Sequence, residues 1–107
     1  MIHTYLLKPE NSSVKSFYGK AIVTVYSDGT ADLKSYETTA CRISATGEFI
    51  RFWNGYSATT ARHINEFRMQ HGLTALTKKE WLEIPVTEQN MVTELIRLQS
   101  EYNRLTA

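Results

Sequence analysis

A chain of 107 residues supports one domain with a buried core and needs no metal or disulfide staple. Its 42% apolar and 21% charged residues argue against disorder except at the ends, and its net charge of +1 argues against both a dedicated duplex-DNA binder and a heavily acidic DNA mimic. Cys41 is the only cysteine, so no intrachain disulfide forms and a cytosolic setting fits best, while no run approaches the ~18 apolar residues of a membrane span.

Met1 to Leu7 has the alternation of a short edge strand, and Lys8, Pro9 and Glu10 follow too soon for a signal peptide. Pro9 to Ser13 reads as a loop. Lys20 to Ser27 is the clearest strand: Ala21, Val23 and Val25 share one face, and Ile22, Thr24 and Tyr26 the other. Asp28-Gly29 is a hairpin signal, because glycine accepts positive φ without steric cost. Ala31 to Glu37 is then the return strand. Thr39 to Ala45 follows, with Thr39, Cys41, Ile43 and Ala45 alternating against Ala40, Arg42 and Ser44. After a turn at Thr46-Gly47-Glu48, Phe49 to Trp53 completes an antiparallel four-stranded β-meander.

Asn54-Gly55 turns the chain toward a helix expected from about Thr59 to His71. Ser57, Thr59 and Thr60 compete as its N-cap, Ala61, Ile64, Phe67 and Arg68 share one face, and Gly72 is its stop. A short second helix begins at Thr77, which pairs with Glu80 as a capping box and has Leu76 and Trp81 at staple positions; Pro85 ends it. A third helix is expected from about Glu88 to Arg104. There Met91, Leu95, Leu98, Tyr102 and Leu105 form a heptad seam that packs on the domain or on a second copy of it. The pattern predicts an α+β fold: one domain over residues 1–107, mainly sheet over 1–57 and helical over 58–107, with two or three helices packed on one face of the sheet.

Chemistry concentrates at the strand-to-helix junction. Thr59 and Thr60 stand four and three residues before His63, spacings that would set a hydroxyl beside a base, but capping explains the hydroxyls and no third group orients the imidazole. The helix start also offers free N–H groups and a positive dipole end to an anion, with Ser57, Thr59, Arg62 and His63 as added donors. His3, His63, His71 and Cys41 lack paired metal-ligand spacing, so no metal or other cofactor is expected. Basic and aromatic residues interleave along the strands at Tyr18, Lys20, Tyr26, Lys34, Tyr36, Arg42, Arg51, Trp53 and Tyr56. A sheet face that stacks bases on rings and holds phosphates on cations has this composition.

Three segments carry a resemblance: Ser16-Phe17-Tyr18-Gly19-Lys20-Ala21, Leu33-Lys34-Ser35-Tyr36-Glu37-Thr38, and Trp53-Asn54-Gly55-Tyr56-Ser57-Ala58-Thr59-Thr60-Ala61-Arg62-His63-Ile64. They resemble a group of short, mostly uncharacterised proteins of phages, plasmids and genomes of Gram-positive, often gut-dwelling, bacteria, over about residues 14–70. The resemblance implies a mobile-element setting in a bacterial host cell and carries over no enzymatic activity. Small proteins of that setting regulate transcription or block host defences, including CRISPR nucleases. The leading expectation is therefore a non-enzymatic cytoplasmic protein that inhibits a host defence nuclease by protein contact. The alternative is a nucleic-acid-binding regulator. Either would use Lys34, Tyr36, Arg42, Arg51, Trp53, Tyr56, Arg62 and His63, with no membrane partner and with the C-terminal helix as a candidate homodimer seam.

Overall fold

The computed structural model describes residues 2–88. Its period-2 segments pair in sequence order into one five-stranded antiparallel sheet: β1 (His3–Leu6), β2 (Ala21–Val25), β3 (Ala31–Ser35), β4 (Thr38–Ile43) and β5 (Phe49–Arg51). The fold is α+β, with five strands where four were expected. The N-terminal edge segment is a full member of the sheet, running from His3 opposite Val25 to Leu6 opposite Ile22. The β2–β3 hairpin forms at Asp28-Gly29, where the Asp28 carboxylate accepts the Thr30 N–H at 2.9 Å and Gly29 takes φ +95°.

The expected alternation in β4 breaks at one place. Leu33 faces Cys41, but Lys34 faces Thr39, so Ala40 is an extra residue, a β-bulge. Thr39 and Cys41 therefore fall on opposite faces. The Ala40 carbonyl accepts from both Phe52 and Trp53, which takes the chain out of the ladder after Arg51 and shortens the last strand.

The register aligns Val23, Leu33, Cys41 and Arg51 in one row across the inner face. Helix α1 (Ala58–Gln70) lays Ile64 and Phe67 on that face, and these pack with Ala21, Val23, Leu33 and Cys41 in the core. Ser57 is the N-cap among the three candidates, its hydroxyl accepting the Thr60 N–H at 3.1 Å. Gly72 ends the helix at φ +80°, and the Leu73 and Gly72 N–H groups return to the Arg68 and Met69 carbonyls. Helix α2 (Lys78–Glu83) starts on the expected Thr77–Glu80 capping box and buries Trp81 in the same core. Beyond it, Val86 bridges to Arg51 in parallel and the Thr87 N–H bonds the Arg51 carbonyl at 2.7 Å, so the chain follows the β5 edge. The third helix and its heptad seam fall on residues outside the described span. No helix among the described residues is long and apolar enough to cross a membrane.

Candidate functional site

The sheet arginines are engaged inside the protein. Arg42 is only 8% exposed; its guanidinium grips Asp32, with Nε to Oδ1 at 2.6 Å and Nη2 to Oδ2 at 3.0 Å, and it lies near the Tyr26 and Phe52 rings. Arg51 points into the core, where it donates to the carbonyls of Trp53, Trp81 and Ile84 at 2.8, 3.1 and 2.9 Å and stacks over the Trp81 ring. It thereby caps α2, whose last carbonyls have no partner within the helix. Lys34 lies on the outer face and pairs with Glu37 at 3.7 Å. Trp53 packs against the core beside Gly55, where any Cβ would meet the indole at 2.6 Å, so only glycine fits. Tyr56 holds its ring 5.0 Å from the Lys78 ammonium.

Tyr36, Arg62 and His63 come together elsewhere, in a cleft of about 450 Å³ between the loop before β2, the β3–β4 turn and the start of α1. The loop contributes Val14, Lys15, Ser16, Phe17, Tyr18 and Lys20, the turn Tyr36, and the helix Thr59, Arg62 and His63. All three segments behind the resemblance supply residues to this one cleft. Lys15, Lys20 and Arg62 are exposed, none forms an ion pair among the described residues, and no carboxylate lines the cleft. The loop that carries Lys15 is held by Glu66 of α1. Its buried carboxylate accepts from the Asn11 backbone and side chain and from Gln70, each at 2.8 Å.

Two tyrosines on the rim adopt left-handed backbone. Tyr18 (φ +52°) shares a turn with Gly19 (φ +72°), closed by Lys20 N–H to the Phe17 carbonyl at 2.9 Å. Tyr36 (φ +56°) is the first residue of the two-residue turn between Ser35 and Thr38, where glycine is usual. This backbone costs a side-chain-bearing residue roughly 1–2 kcal/mol. The two residues are 84% and 47% exposed, so core packing does not recover that cost. Strained residues of this kind cluster at functional sites.

The floor is built on His63, which is 1% exposed. Its ring meets Phe17 edge-on at 4.6 Å and Tyr36 at 5.9 Å. Its Nδ1 lies 2.8 Å from Ser35 Oγ, which in turn lies 3.0 Å from Thr60 Oγ1. Burial, reinforced by the charge of Arg62, pushes the imidazole pKa below its ordinary value, so the ring is neutral near pH 7. The hydroxyl partner of His63 thus comes from β3 and not from the helix start. Ser35 carried a signal: it continues the inward series Ala31, Leu33, Ser35, and a hydroxyl on an apolar face demands a buried partner. Lys15 carried no signal, because its place depends on the distant Glu66 clamp.

Ser35 is 2% exposed and does not line the cleft, so its hydroxyl presents no nucleophile to a substrate. Among the described residues no three His, Cys, Asp or Glu side chains converge on a metal position. His3 lies on exposed β1, His71 bonds the Phe67 carbonyl at 2.8 Å, and burial pushes the Cys41 thiol pKa up, away from thiolate chemistry.

Fold and site together define a small α+β domain with a basic cleft rimmed by tyrosines. Residues 5–83 match DUF8033, a family of unknown function, and the chain belongs to that family. The matched span runs from β1 through α2 and includes every residue of the cleft. No curated protein and no solved structure matches the chain.

Proposed function

We propose that this protein is a non-enzymatic nucleic-acid-binding regulator that holds single-stranded nucleic acid in the cleft. The observation that carries this reading is the set of three exposed cations without ion-pair partners among the described residues, Lys15, Lys20 and Arg62, beside the exposed Tyr18 and Tyr36. Cations that neutralise nothing within the protein are free to replace the counterions of a phosphate backbone, and exposed rings offer stacking planes to unpaired bases. The modest net charge of +1 fits a local site better than a duplex-tracking surface. Fluorescence anisotropy with a labelled single-stranded oligonucleotide, repeated at rising salt, tests it. Binding that weakens steeply with salt and drops in Lys20→Ala and Arg62→Ala is expected. Absent or salt-independent binding rejects it.

A second reading draws on the mobile-element setting: inhibition of a host defence nuclease, such as a CRISPR effector, through protein contact. Exposed Tyr18, Tyr36 and Tyr56 favour it, since tyrosine is enriched at protein interfaces. Pull-down and cleavage assays with purified nucleases decide this reading; no complex and no inhibition at micromolar protein removes it.

A further inference from the structure

We infer that the cleft takes one unpaired base down to its floor, where His63 Nε2–H donates a hydrogen bond to an acceptor on the base edge while Arg62, Lys15 and Lys20 hold flanking phosphates at the rim. This inference rests on the nucleic-acid reading and specifies what that site recognises.

The cleft is graded from mouth to floor. Its cations are exposed, whereas Phe17 and His63 are buried and stack edge to face, with Tyr36 closing over the histidine. A flat, largely uncharged ring suits that floor, and a phosphate suits the mouth. The volume of about 450 Å³ lies within the range of roughly 300–1,000 Å³ typical of small-ligand sites.

The donor at the floor follows from counting protons. Thr60 and Ser35 each have one hydroxyl proton. Both are used when Thr60 O–H donates to Ser35 Oγ and Ser35 O–H donates to His63 Nδ1. The reverse direction leaves the buried Thr60 hydroxyl proton without an acceptor among the described residues. With Nδ1 accepting, the neutral imidazole carries its proton on Nε2. That nitrogen makes no hydrogen bond among the described residues, yet every fully buried side-chain nitrogen and oxygen there has a partner. Nε2 is therefore not wholly enclosed, and His63 lines the cleft. A nearly wholly buried side chain thus leaves one donor without a partner among the described residues, on the floor of a basic, aromatic-walled cleft at a helix start. Ser35 and Thr60 act as positioning residues: they set which nitrogen carries the proton.

The test compares a thymine homopolymer with an abasic oligonucleotide of equal length and phosphate count, read by anisotropy. Long-range 15N–1H NMR of His63 is recorded on the same intact chain. The expected result is an Nε2–H tautomer in the free protein, an Nε2–H resonance that shifts with the base-bearing strand alone, and at least about ten-fold weaker binding of the abasic strand. His63→Phe should lose more affinity for the base-bearing strand than His63→Gln, which keeps an N–H donor. An Nδ1–H tautomer, or equal affinity for the two strands, overturns the inference while leaving salt-dependent nucleic-acid binding in place. Failure of both strands to bind at low salt instead removes the nucleic-acid reading, and this inference with it. Because the tautomer and the two-strand comparison use the unmodified protein, a variant that fails to fold does not spoil the test.

Discussion

Arg42 and Arg51 on the sheet and Lys20 and Arg62 at the cleft carry the same charge, yet their surroundings are opposite. Each sheet arginine is buried with fixed partners: a carboxylate for Arg42, and four carbonyls for Arg51. The cleft cations are exposed and, among the described residues, without a counter-charge. A cation committed internally supports the fold, and removing its partner strands a buried charge. A cation without a partner adds little to folding and remains free for a ligand. The interleaving of basic and aromatic residues is the same in both regions, so the deciding variable is whether tertiary structure supplies a partner.

The largest effect expected from breaking this contrast is Asp32→Ala. It leaves Arg42 buried and unpaired and should cost about 3–5 kcal/mol in urea denaturation, whereas replacing both partners with apolar residues should cost far less. Next comes Arg51→Lys. A lysine keeps the charge but not the fork that spans the Trp53, Trp81 and Ile84 carbonyls, so a loss of about 2 kcal/mol is expected, with α2 losing amide-exchange protection first.

Glu66 extends the contrast to an anion satisfied by neutral donors. Burial alone would raise its pKa, but the hydrogen bonds from Gln70 and Asn11 outweigh burial and hold the pKa below the ordinary carboxylate value. The folded state therefore binds this proton less readily than the unfolded chain. The resulting stability is fully present above the unfolded value, near about 4.3, and is lost as pH falls through the lower folded value. Thermal unfolding across that acid range should be steeper for the parent than for Glu66→Gln; parallel curves would show that the clamp holds the loop equally well when protonated.

Smaller changes should arise at the cleft. Tyr36→Gly relieves left-handed strain at the expense of backbone entropy, so a gain of roughly 0.5–1 kcal/mol is expected together with weaker oligonucleotide binding. Lys20→Ala and Arg62→Ala should shift stability least, within about 0.5 kcal/mol, while each lowers the salt slope of binding by about one. A variant of this last pair that unfolds the protein would erase the distinction between the two regions.

Local physics explains what the sequence determined by itself. The hairpin at Asp28-Gly29, the Thr77 cap, a cap within Ser57 to Thr60, the stop at Gly72 and the inward faces of β2 and α1 each depend on residues a few positions apart. Their hydrogen bonds and periodicity are written within one turn or one strand. Of the residues singled out for binding, the structure brings Tyr36, Arg62 and His63 to one cleft. Only the tertiary structure decided the rest: the bulge at Ala40, the pairing of β1, the Ser35–His63 bond across 28 positions, the Asn11–Glu66 clamp across 55, and the assignment of Arg42 and Arg51 to the interior. A partner far along the chain leaves no periodic or spacing signal. For a charged residue, that partner determines whether it serves the fold or faces a ligand.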